Sequence, residues 1–178
     1  MTHRILRQST TPVDTQSLGR TLGEHVQPGT IIVLSGDLGA GKTQLAAAIA
    51  LGLGIDEAIT SPTFAILKNY PQGRIPLNHM DLYRLESAAQ LDDLDFWDLL
   101  HPDDPSTTLI EWGDMFSEVL SRADLVVTLR IVDHGHREIN LQSHTKKGET
   151  LLTAAFSCYS GYAETLNPNP GSQHMNEC

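Results

Sequence analysis

The residues of this chain best suited to chemistry are Gly36, Gly41, Lys42 and Thr43, spaced G-x-x-x-x-G-K-T. Glycines at 36, 39 and 41 open backbone angles closed to other residues, so successive amide N–H groups can turn toward one centre. Lys42 adds a mobile positive charge for the β- and γ-phosphates of a nucleotide. Thr43 adds a hydroxyl for the divalent cation that travels with them. Asp37, Leu38, Gly39 and Ala40 complete the loop and are expected to wrap the phosphates. The flanks agree with this reading. Ile31-Ile32-Val33-Leu34 has the length and β-branching of a buried strand, and Leu45-Ala46-Ala47-Ala48-Ile49-Ala50 is built of good helix formers. A helix starting at Lys42 contributes its unpaired N–H groups and the positive end of its dipole. Strand, glycine loop and helix together predict a nucleoside triphosphate site.

Such a site needs a second acid near the cation, usually at the end of a neighbouring buried strand. Leu109-Ile110-Glu111 ends an apolar run with a carboxylate, and Asp81 ends another in His79-Met80-Asp81-Leu82-Tyr83-Arg84. Each is either a metal-site acid or an ordinary capping acid. Ser61-Pro62-Thr63 is either a γ-phosphate sensor or a simple turn. Trp112 either stacks near the nucleotide or belongs to the core. His134 and His136, one residue apart, read as a polar turn with no third metal ligand. Seven carboxylates and no Lys or Arg lie from Glu86 to Asp104, which makes either a solvated helix face or a docking surface.

These residues need a scaffold. Thr11-Pro12-Val13-Asp14 predicts a capped helix start, and Leu18, Leu22 and Val26 continue it as an apolar stripe ended by Pro28-Gly29. Gly52 and Gly54 stop the loop helix. Residues 64–70 and 75–83 read as two strands around Pro71-Gln72-Gly73-Arg74. Helices are predicted over 86–100 and 115–122, a short strand over 107–112, and a hairpin from 123–132 and 137–142. Beyond Lys146 the pattern weakens, and Asn167 to Ser172 reads as part of a disordered tail. The expected division is a P-loop domain over 1–145 and an extension over 146–178.

Bulk composition narrows the classes. At 178 residues the chain fits one domain with a short appendage. A formal charge of −10, with four lysines, excludes a basic nucleic-acid grip and favours protein partners. Cys158 and Cys178 match no metal spacing, and no disulfide framework is expected. The N-terminal stretch lacks an apolar signal region and no run is long enough to span a membrane, so the cytoplasm is the expected compartment.

The loop motif, Ser61-Pro62-Thr63-Phe64, His79-x-Asp81-x-Tyr83-Arg84 and Glu111-Trp112-Gly113, in this order, resemble the TsaE (YjeE) family of bacterial P-loop ATPases over about residues 5–143. The resemblance implies ATP and Mg²⁺ as cofactors. It implies a three-layer α/β fold with a mainly parallel sheet and antiparallel additions. It also implies a role in making N6-threonylcarbamoyladenosine in tRNA, as the ATPase that supports turnover by the TsaD–TsaB pair. Thr43 and Glu111 would bind Mg²⁺, Asp81 would serve hydrolysis together with Lys42 and Glu111, and Thr11 and Pro12 would lie against the adenine. Ser61, Thr63, Trp112, Asp114 and Arg137 complete the expected nucleotide set. Gln44 departs from the family, which often carries a second hydroxyl residue there. Two rivals remain on residues alone. A small metabolite kinase would want a lid of clustered arginines, and the eight here are scattered; a GTP switch would want N-K-x-D, which does not occur.

Overall fold

The computed structural model describes residues 4–9, 11–92, 96–101, 103–133, 136–157 and 164–165. Helix α1 (Pro12–His25) starts where its sequence demands. The Thr11 hydroxyl accepts from Asp14 N, the Asp14 carboxylate accepts from Thr11 N at 2.8 Å, and Pro12 occupies the first turn. At its other end, Arg74 donates to the carbonyls of Gly23 and Val26 at 2.8 and 2.9 Å. Helix α2 (Lys42–Gly52) follows strand β2 (Ile31–Gly36) through the glycine loop. The two helices lie backbone to backbone. A Cβ on Gly23 would sit 2.0 Å from the Ile49 carbonyl, so no larger residue fits there.

Strands β1 (Arg4–Ser9), β3 (Leu67–Tyr70), β4 (Leu77–Asp81), β5 (Thr107–Glu111), β6 (Leu125–Ile131), β7 (Arg137–Ser143) and β8 (Glu164–Thr165) join β2 in one sheet, ordered β3-β4-β5-β2-β6-β7-β1-β8. The centre β4-β5-β2-β6 is parallel, and the strands added on either side pair antiparallel. β4 and β5 are buried along their whole length and β2 over Ile32–Ser35, which accounts for the aliphatic run of β2. Alternation divides the core. Ile32, Leu34, Leu77 and Leu109 pack with α1 and α2, while Val33, Met80 and Ile110 pack with Leu85, Leu91, Phe96 and Val119 on the opposite face. The result is the three-layer α/β arrangement expected, with a parallel centre and antiparallel additions.

Several predicted elements differ. Among the described residues, which leave out 93–95, the helix expected over 86–100 is α3 (Ala89–Asp92) and a 3-10 turn at Asp98–Leu100. Buried Leu91, Phe96 and Leu100 recur at intervals of five and four, so one continuous helix could not aim them all at the sheet. β3 begins at Leu67 and not at residue 64, because Ile66 takes a left-handed φ of 66° as its N–H donates to Pro62 O. The helix over 115–122 reduces to α4 (Ser117–Leu120), since Phe116 is extended. Residues 146–157, assigned to a weakly patterned extension, form helix α5 (Lys146–Ser157). Its Leu151, Leu152 and Ala155 are buried in the α1–α2 core layer. The expected tail over 167–172, Cys158, Cys178 and His134 lie outside the described residues. His136 Nδ1 meets the Asp133 carboxylate in an exposed turn.

Candidate functional site

In open parallel sheets the carboxyl ends of the strands present the ligand crevice. Here the register places Asp81 beside Glu111 and Glu111 beside Leu34, so β4, β5 and β2 end at a common edge. Gly36, at the end of β2, takes a φ of 132°, and a Cβ there would lie 2.1 Å from Leu129 O on β6. The chain leaves the sheet through Gly39 and Gly41 at φ 79° and 106°, and Gly41 caps α2. Arg137 on β7 braces the loop by donating from Nε to Ala40 O at 3.2 Å.

Lys42 curls back under this loop. Its Nζ donates to Gly36 O at 2.6 Å and Asp37 O at 2.9 Å, and it stands 3.7 Å from the centroid of the Trp112 ring. Burial lowers its pKa from the usual lysine value, opposed by the carboxylates of Glu111, Asp114, Asp81 and Asp37. Trp112 itself has a left-handed backbone, φ 62°, and leans against Tyr83 with ring centroids 5.0 Å apart. Strain of this kind in a non-glycine residue is held in place by its surroundings and gathers at working sites.

Three further groups converge. Thr43 Oγ1 donates to Glu111 Oε2 at 2.9 Å, and His79 Nε2 donates to Glu111 Oε1 at 2.9 Å. Asp81 Oδ2 accepts the hydroxyls of Ser61 and Thr63, each at 2.5 Å, while its Oδ1 accepts the Tyr83 N–H at 3.0 Å. Ser61 and Thr63 are therefore fastened to the sheet edge by Asp81. Thr43, Glu111, Asp81, Ser61, Thr63 and Tyr83, but not the buried His79, line a cleft of about 570 Å³, together with Pro12, Leu38, Gly39, Gly41, Trp112 and Arg137. A side recess of about 70 Å³ is bounded by Thr11, Pro12, Ala40 and Arg137. The cleft size suits a nucleotide.

Most expected site residues thus meet in one place. Two differ in how they do so. Asp37 contributes its carbonyl, and Asp114 accepts from Ser35 Oγ at 2.7 Å without lining the cleft. Tyr83 and Gln44 line the cleft without having been expected there. His79 belongs to the site by its contact with Glu111; its position two residues before Asp81 on one strand face is the signal in the sequence. For a divalent cation, Thr43 Oγ1 and Glu111 Oε2 form a pair of hard oxygen donors beside the phosphate loop, which fits Mg²⁺. Among the described residues no group of three or more His, Cys, Asp or Glu is placed to hold a metal, and a phosphate-borne Mg²⁺ needs none. No helix among the described residues is long and apolar enough to cross a membrane.

Comparison with known proteins gives the family and the fold. The sequence model described as threonylcarbamoyl adenosine biosynthesis protein TsaE matches residues 9–139. A Treponema pallidum protein named tRNA threonylcarbamoyladenosine biosynthesis protein TsaE is 39% identical over 128 residues, 72% of this chain and 93% of its own. Its namesake in Bacillus subtilis is 34% identical over 140 residues, 79% of this chain and 86% of that one. The crystal structure of Bacillus subtilis YdiB superposes with a TM-score of 0.74 at 27% identity, covering 88% of this chain and 97% of that chain. With the phosphate loop, the Asp81 and Glu111 strand ends and this match over most of its length, the chain belongs to the TsaE family, whose name assigns it to threonylcarbamoyladenosine biosynthesis.

Proposed function

We propose that this protein binds ATP with Mg²⁺, hydrolyses it, and thereby supports the TsaD–TsaB pair in threonylcarbamoylation of tRNA. The observation that carries the reading is the placement of the Lys42 ammonium under the glycine loop with the Thr43–Glu111 oxygen pair on the next strand end. Phosphate oxygens entering the loop exchange places with the carbonyls of Gly36 and Asp37 as partners of Lys42. Mg²⁺, when bound by Thr43 and Glu111, supplies charge neutralisation on the phosphates. Water then attacks the γ-phosphorus, the bond to the β–γ bridging oxygen breaks, and ADP departs with the bonding electrons. Asp81 serves this step by holding Ser61 and Thr63 at the cleft, where they would sense the γ-phosphate.

Charge supports the partner role. A protein of net charge −10 repels tRNA phosphates, so it acts through proteins that hold the tRNA or the activated group. Arg137 is the only arginine on the cleft among the described residues, which weighs against a kinase with an arginine-rich lid. The test is phosphate release from ATP by the purified protein alone and with TsaD and TsaB, paired with chromatography in ATP, in ADP and in neither. Slow release that rises with the partners, and co-elution that depends on the nucleotide, are expected. No ATP binding, or co-elution equal in all three conditions with unstimulated release, overturns the reading.

A further inference from the structure

We propose that His79 is a positioning residue that fixes the Glu111 carboxylate for the divalent cation accompanying the nucleotide, an inference that rests on the function proposed above. A carboxylate oxygen only accepts, so His79 Nε2 carries the proton in its 2.9 Å contact with Glu111 Oε1. Both side chains are almost wholly removed from solvent, at 0% and 3% exposure. Neighbouring β3 and β5 confine His79 between Lys68 and Leu109, and its Nδ1 is buried without a hydrogen-bond partner. That orphan atom decides the matter. A polar ring here forfeits one hydrogen bond at Nδ1 and makes a single one, to Glu111; an apolar ring would spare the first and take this donor from the buried carboxylate. The gain lies in geometry. With Oε1 tied to His79, the carboxylate cannot swing about its terminal bond, and Oε2 stays 2.9 Å from Thr43 Oγ1. The two oxygens that a Mg²⁺ ion needs are thereby set before the ion arrives. Groups that orient metal ligands in this manner are worth about 10- to 100-fold in metal affinity.

Calorimetric ATP titrations across a Mg²⁺ series, with parallel titrations in a chelator, separate the possibilities for the parent, His79→Phe and His79→Gln. Phe keeps the volume and removes the donor; Gln places an amide N–H at the reach of Nε2. His79→Phe is expected to raise the Mg²⁺ concentration needed for half-maximal tightening by about 10-fold or more, with metal-free ATP affinity unchanged, and His79→Gln to restore the parent value. A His79→Phe protein with the parent's Mg²⁺ dependence overturns the proposal, as does equal weakening in chelator and in Mg²⁺. A parent whose ATP binding ignores Mg²⁺ overturns the proposed function itself, a result distinct from both. Should His79→Phe fail to fold, [¹⁵N]histidine NMR of the parent decides. A protonated Nε2 whose resonance moves when Mg²⁺ joins the ATP complex supports the assignment; an unprotonated or unmoved Nε2 overturns it.

Discussion

Thr43 and Glu111 are 68 residues apart in the chain, yet their side-chain oxygens meet at 2.9 Å. One stands on the first turn of α2 and the other at the end of β5. Replacing Glu111 with Gln keeps its shape and removes the charge that a cation would meet. ATP is expected to bind still, while hydrolysis falls by about 100-fold, the scale of losing one charge-stabilising group. Parent-level turnover in that variant removes Glu111 from the catalytic set.

Asp81→Asn acts differently. With its oxygen kept toward the Tyr83 N–H, the new amide N–H₂ faces the Ser61 and Thr63 hydroxyls, which lose their shared acceptor. The 61–64 segment is expected to loosen, with a stability loss of about 1–3 kcal/mol and a steep fall in hydrolysis. Faster proteolysis within that segment would report the loosening. An unchanged digestion pattern would show that Asp81 does not hold it.

Lys42→Ala removes the point charge under the loop and leaves only backbone amides for the phosphates. ATP affinity is expected to drop by roughly 2–4 kcal/mol, about 30- to 1000-fold, while the circular dichroism spectrum stays that of the parent. Near-normal binding by calorimetry would mean that the loop does not hold phosphate.

The same residue sets a pH dependence. Burial lowers the folded pKa of Lys42 from its usual 10.5, so the folded protein releases this proton before the unfolded chain does. Stability from this group therefore rises with pH between the folded value and 10.5, and the cost of burying the ammonium is present in full below that window. Denaturant midpoints for Lys42→Met, measured from neutral to pH 10.5, should lack this rise relative to the parent. Parallel curves would contradict it.

Truncation after residue 145 tests what α5 contributes to the domain. Losing buried Leu151 and Leu152 removes roughly 1.5–3 kcal/mol for each. A fall in melting temperature on the order of 10 °C is expected from such a loss. An unchanged melting curve would mean that α5 adds nothing to the domain.

How much was legible follows from which signals are local. The phosphate loop, the α1 cap and the acid-ended strands were readable, because spacing and capping chemistry are written in a few adjacent residues. Strand ends at Leu67 and the break inside 86–100 were not. They depend on Ile66 adopting a left-handed turn and on Leu91, Phe96 and Leu100 each finding the sheet by separate routes. The partnership of His79 with Glu111 needed the β4–β5 register, which no single stretch of sequence contains. α5 was hidden by composition: its buried face is Gly148, Leu151, Leu152 and Ala155, of which only the two leucines are large apolar residues.

The parallel contact of α1 and α2 has a mechanical meaning. Pro12 at the head of one helix and Lys42 at the head of the other both line the cleft. Between those helices, the Gly23 and Ile49 backbones touch with no side chain to compress. The two jaws of the cleft are thus fixed like those of a set calliper. Accommodation of ligands of different length then falls to cleft walls outside those two helices, the 61–64 segment and Trp112 among them.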